Sequence, residues 1–208
     1  MNTINYNDLT PAQALELLKE GNSRFVNNEL IDYPLKEQVE ETAEGQKPFA
    51  VILSCMDSRA SVELVFNQGI GHLFSVRLAG NVVSEYVLAS LEYAVAAVGS
   101  KLILLMGHSD CGAIKGACDE VKMGNLTTLL AKVRWAVTHE DTITENRTSS
   151  NKEFVDKVAH LNVHHGIDEI LYRSTIIKDL YDEGKIDIVP AFYDVKTGKV
   201  EFLEKKNS

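Results

Sequence analysis

The chain has 208 residues, of which 45% are hydrophobic and 25% are charged, with a formal net charge of −9. This is the composition of a globular protein with a full core, and it lacks the basic stripe of a nucleic-acid-binding protein. Its apolar runs fall far short of the ~20 residues that cross a bilayer, so we expect no membrane partner. Its first ten residues lack the features of a secretion signal, and three cysteines are too few for a disulfide framework. We therefore expect a cytoplasmic protein with free thiols.

A helix is predicted near the start of the chain, over residues 10–25. Thr10 can cap this helix, Pro11 suits its first position and Gln13 can complete a capping box. The polar and charged residues 34–48 that follow are interpreted as an exposed connection with room for a helical turn.

No composition break divides the chain, so we expect one domain over residues 1–208. Within this domain, residues 1–46 are predicted to form a peripheral, N-terminal helical arm. Residues 47–208 are predicted to form an α/β core.

Strands and helices alternate from residue 49 onwards. Continuous apolar runs predict strands that are covered on both faces, and apolar residues at helical spacing between capping residues and glycines predict helices. The predicted strands span 49–55, 72–78, 101–107, 185–195 and 199–204. The predicted helices span 84–99, 111–121 and 125–140, and one or two more lie within 151–184. This order predicts an α/β fold: a central, mostly parallel sheet of about four parallel strands plus a C-terminal antiparallel strand, flanked by helices.

Polar side chains follow two of the predicted strands. Cys55, Asp57 and Arg59 come directly after the first strand, and His108 and Cys111 come after the third. If these strands are parallel neighbours, all five residues lie at one edge of the sheet, which is where α/β sheets bind ligands.

Two cysteines and one histidine in these segments can form a metal site. The thiolates of Cys55 and Cys111 and the imidazole of His108 suit zinc, and three protein ligands leave a fourth position for water, as in catalytic zinc sites. Other interpretations stay open at this level, since Cys55 alone is typical of a small buried hydrophobe and the His-x-x-Cys pair is a weak signal. A redox pair is a further option, although the chain has no Cys-x-x-Cys. Cys118 lies on the order of 10 Å beyond Cys111 along a helix, which predicts a packing role.

The motifs at these positions resemble those of the β-class carbonic anhydrases. CMDSR, RLAGN, SLEYAV and GHSDCGAI occur in the order and spacing of that family. The similarity extends upstream to EGNSRF and downstream to GKIDIVPAFYDVKTGKVEF, so it covers nearly the whole chain. Cys-x-Asp-x-Arg followed by Gly-His-x-x-Cys-Gly is a highly specific combination.

The resemblance implies that Cys55, His108 and Cys111 bind Zn2+, and that Asp57 and Arg59 form a dyad beside it. The implied reaction is the reversible hydration of carbon dioxide to bicarbonate and a proton by zinc-bound hydroxide. Asp57 would accept the proton of the hydroxide in a hydrogen bond and so orient it, and Arg59 would keep Asp57 ionised. In some members of the family the aspartate binds zinc instead, so Asp57 is also a possible fourth ligand in a closed state.

The resemblance also concerns residues around the substrate. It implies that Gln68 reaches the substrate pocket and that the backbone of Ala79 and Gly80 lies close to it, although Gln68 also fits an ordinary polar loop residue. His72 stands where many relatives have aspartate, and we expect a surface histidine rather than a proton relay. We expect the histidines in helical sequence to be solvated, namely His139, His160, His164 and His165.

Regulation and assembly are implied in the same way. A subgroup of the family binds bicarbonate at a non-catalytic site through a tryptophan three positions before the first motif cysteine, together with an arginine and a tyrosine. Ile52 occupies the tryptophan position here, with Arg77 and Tyr193 as the corresponding pair, so we expect no tryptophan-gated inhibition. Family members are dimers or assemblies of dimers, so a homodimer or tetramer is expected, with helix 84–99 and the N-terminal arm as contact surfaces.

Three alternative functions were weighed. Some relatives hydrolyse carbonyl sulfide or carbon disulfide with the same ligand set, and carbon dioxide is favoured as the common substrate of the family. A zinc-stabilised interaction module would need a fourth permanent protein ligand, for which Asp57 is the candidate. A nucleotide-binding protein is disfavoured because GIGHLF lacks the third glycine of the dinucleotide fingerprint and no Walker A sequence occurs.

Overall fold

The apolar runs predicted as strands form a single five-stranded sheet in the computed structural model, which describes residues 9–205. The strands are β1 (Ala50–Ser54), β2 (Leu73–Arg77), β3 (Leu102–His108), β4 (Asp187–Tyr193) and β5 (Val200–Phe202). Their order across the sheet is β2-β1-β3-β4-β5, in which the first four are parallel and β5 is antiparallel to β4. The predicted α/β fold with a mostly parallel sheet is confirmed.

Helices connect these strands at nearly all the predicted positions. They are α1 (Pro11–Asn27), α2 (Leu35–Thr42), α3 (Val62–Val65), α4 (Glu85–Glu92), α5 (Gly112–Cys118), α6 (Gly124–His139), α7 (Lys152–Arg173) and α8 (Thr175–Asp182). Helix α4 continues as a π-helical segment, Tyr93–Val98, and ends at Gly99, whose φ of 92° terminates it as predicted. The sequence did not predict α3, because four residues are too few to show a helical period.

The sheet is covered on both faces, which explains why its strands are apolar without alternation. Ile52, Leu104 and Met106 on one face pack with residues of α1 and α3. Val51 and Leu105 on the other face pack with residues of α4, α7 and α8. The side chains of the central strands β1 and β3 are therefore buried whichever face they point to.

Helix α1 begins with the predicted capping box. The Gln13 amide donates to Thr10 Oγ1 (3.2 Å), and the Gln13 side chain accepts from the Thr10 amide (2.8 Å). The helix differs from a peripheral arm, however, because Ala14 and Leu18 are wholly buried against the sheet. Leu15 and Leu17 of the same helix are only partly buried against the apolar cluster on that face.

The described part of the chain begins at residue 9 and ends at residue 205. Residues 1–8 and 206–208 lie outside it. The two ends of the predicted domain 1–208, the start of the predicted arm and most of the stretch in which we expect no secretion signal therefore lie outside the described residues. Within residues 9–205, no helix combines the length and the apolar character that crossing a membrane requires.

Helix α7 lies unusually close to β3 because glycines occupy the contact. A Cβ at Gly107 of β3 would stand 2.6 Å from Val163 Cγ2 of α7, and a Cβ at Gly166 of α7 would stand 2.7 Å from Leu105 Cδ2 of β3. Both distances are below van der Waals contact. The two glycines therefore fix the separation between α7 and the strand that ends in His108.

We expect Gly107→Ala to destabilise the protein by about 1–3 kcal/mol, because the added methyl group overpacks against a β-branched side chain with one preferred helical rotamer. Gly45→Ala is the matched control, since a Cβ there meets nothing within 4 Å; it should change the free energy of unfolding by less than about 0.5 kcal/mol. Urea unfolding followed by circular dichroism measures both. Equal stability of the two variants would contradict the close packing of α7.

Candidate metal centre

The carboxyl ends of three neighbouring strands bring the predicted site residues to one edge of the sheet. Ser54, the last residue of β1, pairs with Arg77 of β2 on one side and with Met106 of β3 on the other. Cys55 follows Ser54 directly, and His108 is the last residue of β3. The parallel register therefore places the two ligand-bearing loops side by side.

Three side chains converge at this edge and could hold a metal ion. The ligand atoms of Cys55, His108 and Cys111 all lie within 4.8 Å of one another, and Cys55 Sγ is 3.9 Å from Cys111 Sγ. All three residues are at most 4% exposed. Two soft sulfur donors and an imidazole in this arrangement match the donor sets of transition-metal sites.

His108 is oriented by its backbone neighbour. Its Nδ1 lies 2.9 Å from the Ser109 carbonyl oxygen, and because a carbonyl only accepts, Nδ1 carries the proton. Nε2 is then an acceptor, and it is buried without a hydrogen-bond partner within residues 9–205. An unpaired buried acceptor costs free energy, and a cation between the two sulfurs would satisfy it.

The two thiols form an electrostatically demanding pair. The hydrogen bond with Cys111 lowers the pKa of Cys55, against burial, and the Gly80 amide acts in the same direction. The same sulfur contact and burial raise the pKa of the Cys111 thiol. The protein alone thus stabilises one thiolate, and a second charge 3.9 Å away requires a cation. The donor set therefore fits a bound metal ion.

An ionised carboxylate stands beside this cluster. Arg59 forms a bidentate salt bridge with Asp57, in which Nε donates to Oδ1 (2.9 Å) and Nη2 donates to Oδ2 (2.7 Å). These hydrogen bonds hold the pKa of Asp57 well below its usual range. Asp57 Oδ2 lies 4.0 Å from His108 Nε2, so the carboxylate reaches the edge of the cluster.

Further charges connect the two ligand loops. Arg59 Nη1 lies 3.5 Å from Asp110 Oδ2, and Asp110 also pairs with Lys115 of α5. Asp110 takes a left-handed backbone conformation, with φ of 59°. Positive and negative groups therefore alternate from Asp57 through Arg59 and Asp110 to Lys115 along the exposed rim of the site.

Two residues outside the predicted ligand set brace the first loop. Arg77 Nε donates to the Cys55 carbonyl oxygen (3.1 Å), and its Nη2 donates to the Asp57 carbonyl oxygen. The Tyr193 hydroxyl donates to the Arg59 carbonyl oxygen (3.2 Å). The sequence reading connected Arg77 and Tyr193 only with a regulatory site, whereas their contacts within the chain hold the backbone between Cys55 and Arg59.

The residues predicted to surround the substrate divide into two groups. Ala79 and Gly80 form the 3₁₀ turn Ala79–Asn81, and the Gly80 amide lies 3.4 Å from Cys55 Sγ, so this turn adjoins the cluster. The Gln68 side chain instead bonds to the Phe66 carbonyl oxygen (3.1 Å) and contacts His72 Nδ1 (3.1 Å). None of its hydrogen bonds within the described chain reaches the three clustered side chains.

A buried asparagine that the sequence reading missed also contacts this turn. Asn162 Nδ2 donates to the Gly80 carbonyl oxygen (3.0 Å) from the middle of α7. An asparagine within a long helix, between histidines, has no local signal for this role. The only sequence signal that Asn162 is buried is its position beside the apolar residues Val158 and Val163, which lie on the same buried side of α7.

The remaining sequence predictions have mixed outcomes. His160 stacks on Phe192 with ring centroids 3.9 Å apart, and His165 stacks on Trp135 at the same distance, so the prediction that they are solvated is wrong. Both rings cover aromatic surface that a helical period cannot reveal. His72 is half-buried rather than a surface residue, so that prediction is also wrong. Its Nδ1 accepts a hydrogen bond from the Gly69 amide (3.2 Å), and burial lowers the pKa of the imidazole.

Two apolar positions behave as the sequence predicted. Cys118 packs in the apolar cluster around α5, α6 and α7, which confirms its packing role, and burial raises its pKa to about 11. Its thiol is not part of the metal-competent group. Ile52 is wholly buried on the α1 face of the sheet.

Known proteins similar to this chain share one family. The family model described as carbonic anhydrase matches residues 50–200. Carbonic anhydrase 2 of Mycobacterium tuberculosis is 34% identical over 192 residues, which are 91% of each chain, and carbonic anhydrase of Mycolicibacterium smegmatis is 33% identical over 196 residues, 92% of each.

Solved structures give the same result. One of the structures of two tetrameric β-carbonic anhydrases from Sordaria macrospora has a TM-score of 0.72 and 28% identity, over 83% of this chain and 92% of that one. Coccomyxa β-carbonic anhydrase in complex with acetazolamide has a TM-score of 0.71 and 26% identity, over 81% of this chain and 78% of that one. The chain therefore belongs to the β-carbonic anhydrases, a family of lyases.

Proposed function

We propose that this chain is a zinc enzyme that reversibly hydrates carbon dioxide to bicarbonate and a proton. The observation that carries the proposal is the convergence of Cys55, His108 and Cys111, with ligand atoms within 4.8 Å, beside an ionised carboxylate. Membership of the β-carbonic anhydrases supports the same reaction.

Zinc is the metal that this donor set favours. Two thiolates and a neutral imidazole are borderline-soft ligands, and three protein ligands are typical of catalytic rather than structural zinc. When bound, zinc supplies Lewis-acid chemistry that acidifies a coordinated water and makes it a nucleophile near neutral pH. The hydrogen bond from the Gly80 amide to Cys55 Sγ reduces the negative charge that the sulfur donates. We therefore infer that Cys55, His108 and Cys111 are the zinc ligands.

Asp57 and Arg59 have complementary roles in this proposal. The bidentate pair keeps Asp57 ionised through the acid range and aims its carboxylate at the cluster. Oδ2, which accepts from Arg59 Nη2, retains a lone pair that can accept a hydrogen bond from the reacting water and so orient that water toward carbon dioxide. Arg59 acts through Asp57, and its guanidinium fork explains why lysine would be a poor substitute.

The same contacts favour Asp57 as an orienting group over Asp57 as a fourth metal ligand. Oδ2 already accepts from Arg59 Nη2 at 2.7 Å, and Oδ1 accepts from both Nε and the backbone amide of Arg59. Direct ligation would have to break part of this network. A permanently closed interaction module is accordingly the weaker proposal.

Carbon dioxide is preferred to carbonyl sulfide and carbon disulfide as the substrate, since the relatives are named carbonic anhydrases. We propose that the backbone of Ala79 and Gly80 borders the substrate, while the role of Gln68 stays a prediction. Comparing the rates of hydration of carbon dioxide and hydrolysis of the two sulfur gases distinguishes the alternatives. The three free, buried cysteines support a reducing compartment such as the cytoplasm.

We also propose that the chain forms a homodimer or tetramer. Large apolar side chains are exposed in two places. Leu30 and Leu35, before and at the start of α2, are both 53% exposed, and Tyr86 and Tyr93 are exposed on α4 and its π-helical continuation. A partner subunit that packed against them would remove this apolar surface from water. The relatives from Sordaria macrospora are tetrameric. Light scattering should give a mass of two or four times the 23.0 kDa chain, and a monomer at micromolar concentration would refute this part of the proposal.

Asp57→Asn is expected to lower kcat/KM for carbon dioxide hydration by about 100-fold or more, the range of proton-directing groups, because the amide cannot accept as the carboxylate does. Zinc content should stay at the wild-type level. Stopped-flow hydration assays and elemental analysis measure the two quantities. Asp182→Asn, which removes a carboxylate from a surface pair with Lys178, is the control and should leave both unchanged. Full activity of Asp57→Asn would eliminate the dyad from the mechanism.

Cys111→Ser is expected to lose most of its zinc and its activity, because a neutral hydroxyl replaces a thiolate ligand. Cys118→Ser is the matched control: the same atom is changed in another buried cysteine that lies outside the ligand group, so the zinc content should remain near one per chain. Elemental analysis after gel filtration measures the metal. A Cys111→Ser protein that retains full zinc would show that the ligand set is wrong.

A further inference from the structure

We propose that Asn162 is a positioning residue that fixes the metal-ligating thiolate of Cys55 through Gly80. The inference rests on the proposed function, because it takes Cys55 as a zinc ligand. It goes further by assigning a role to a residue of α7 that touches neither the metal ligands nor the dyad by any hydrogen bond described.

Gly80 is held at both of its backbone groups. Its amide donates to Cys55 Sγ at 3.4 Å, and its carbonyl oxygen accepts from Asn162 Nδ2 at 3.0 Å. Gly80 is buried and Asn162 is only 5% exposed, so neither bond is exchanged readily with water. Moving the carbonyl would rotate the backbone that aims the amide at the sulfur.

The turn that contains Gly80 needs this outside support. Gly80 has a φ of 66°, which glycine adopts without strain, and Asn81 also has a positive φ of 44°, which is uncommon for a residue with a side chain. The turn closes on itself through one backbone bond, from the Asn81 amide to the Leu78 carbonyl oxygen (2.8 Å). A Cβ at Gly80 would stand 3.2 Å from Ala113 Cβ, so the turn is pressed against α5.

Helix α7 is a rigid source of that support. Val163, the neighbour of Asn162, closes on Gly107 of β3, and Gly166 of α7 closes on Leu105 of the same strand. Strand β3 ends in His108. The position of the amide donor to Cys55 is therefore set relative to the strand that carries the imidazole ligand, although 53 positions separate the two ligands in the chain.

The chemical consequence concerns the sulfur. An N–H donor directed at a thiolate stabilises its charge and fixes the direction of its lone pairs, so it affects both the affinity for the metal and the energy of the sulfur electrons. Residues that orient ligands in this indirect way typically change metal affinity or activity by 10–100-fold. Gly80 has no side chain to vary, and Asn162 is the side chain through which its orientation can be tested.

The experiment compares two buried asparagines that both hold backbone carbonyl groups. Asn22 is 4% exposed, and its Nδ2 donates to the carbonyl oxygens of Val65 (3.1 Å) and Gly198 (2.9 Å), within the α1 side of the fold. Asn162→Leu and Asn162→Ala are tested against Asn22→Leu and Asn22→Ala. Each protein is purified with zinc, its zinc affinity is measured by chelator competition, and its Co2+-substituted form is examined by absorption spectroscopy.

We expect the Asn162 variants to bind zinc about 10-fold more weakly than wild type. Their sulfur-to-cobalt charge-transfer band should move to longer wavelength, because a sulfur that loses an N–H donor releases its electrons more easily. The Asn22 variants should lose at least as much thermal stability, because Asn22 makes three buried hydrogen bonds, yet keep the wild-type zinc affinity and band position. Asn162→Ala decides the question if Asn162→Leu does not fold.

Three results would overturn the inference. Folded Asn162 variants with wild-type zinc affinity and an unmoved band would show that the side chain only packs. Equal changes in the Asn22 variants would show that general loss of stability, not positioning, weakens the site. A wild-type protein that binds no zinc and shows no charge-transfer band would refute the proposed function and this inference together. The first two results, obtained with a wild-type protein that does bind zinc, would refute only the role of Asn162.

Discussion

The repulsion between two buried sulfurs is the constraint on which the site depends. Cys55 and Cys111 lie 3.9 Å apart with His108 beside them, in a region that is closed to water. The protein stabilises one negative charge there through the Gly80 amide and the neighbouring thiol, and full ionisation of both thiols needs a cation. The unpartnered Nε2 of His108 has the same requirement. The two sulfurs and Nε2 are therefore already positioned around a point where a metal ion would neutralise the sulfur charges and accept the imidazole lone pair.

The sheet supplies the precision that such a site needs. Parallel strands end together, so the loops after β1 and β3 meet without any long excursion of the chain. Arg77, at the end of the edge strand β2, ties down the backbone of the first loop, and Tyr193 of β4 ties down Arg59. The four parallel strands therefore all contribute to holding the site.

Burial separates the two tasks that we propose for the site residues. The ligands are enclosed, where a low dielectric strengthens each interaction with the metal. The side chains of Asp57 and Arg59 are 17% and 45% exposed, so the proposed dyad is open to solvent. Helix α7 contacts the turn at Gly80 through Asn162. In this proposal the buried side chains bind the metal, and the more exposed side chains of Asp57 and Arg59 act on the substrate.

The sequence by itself determined the strands, the capping box at Thr10 and the three metal-competent side chains Cys55, His108 and Cys111, because apolar runs, caps and motifs are local patterns that can be read without a partner. Tertiary structure alone decided the rest. Asn162 meets Gly80 across 82 positions, and His160 covers Phe192 of another element. A helical period records which side of α7 is apolar, but not which backbone group a polar side chain on that side will meet, since that depends on how closely Gly107 and Gly166 let the helix approach the sheet.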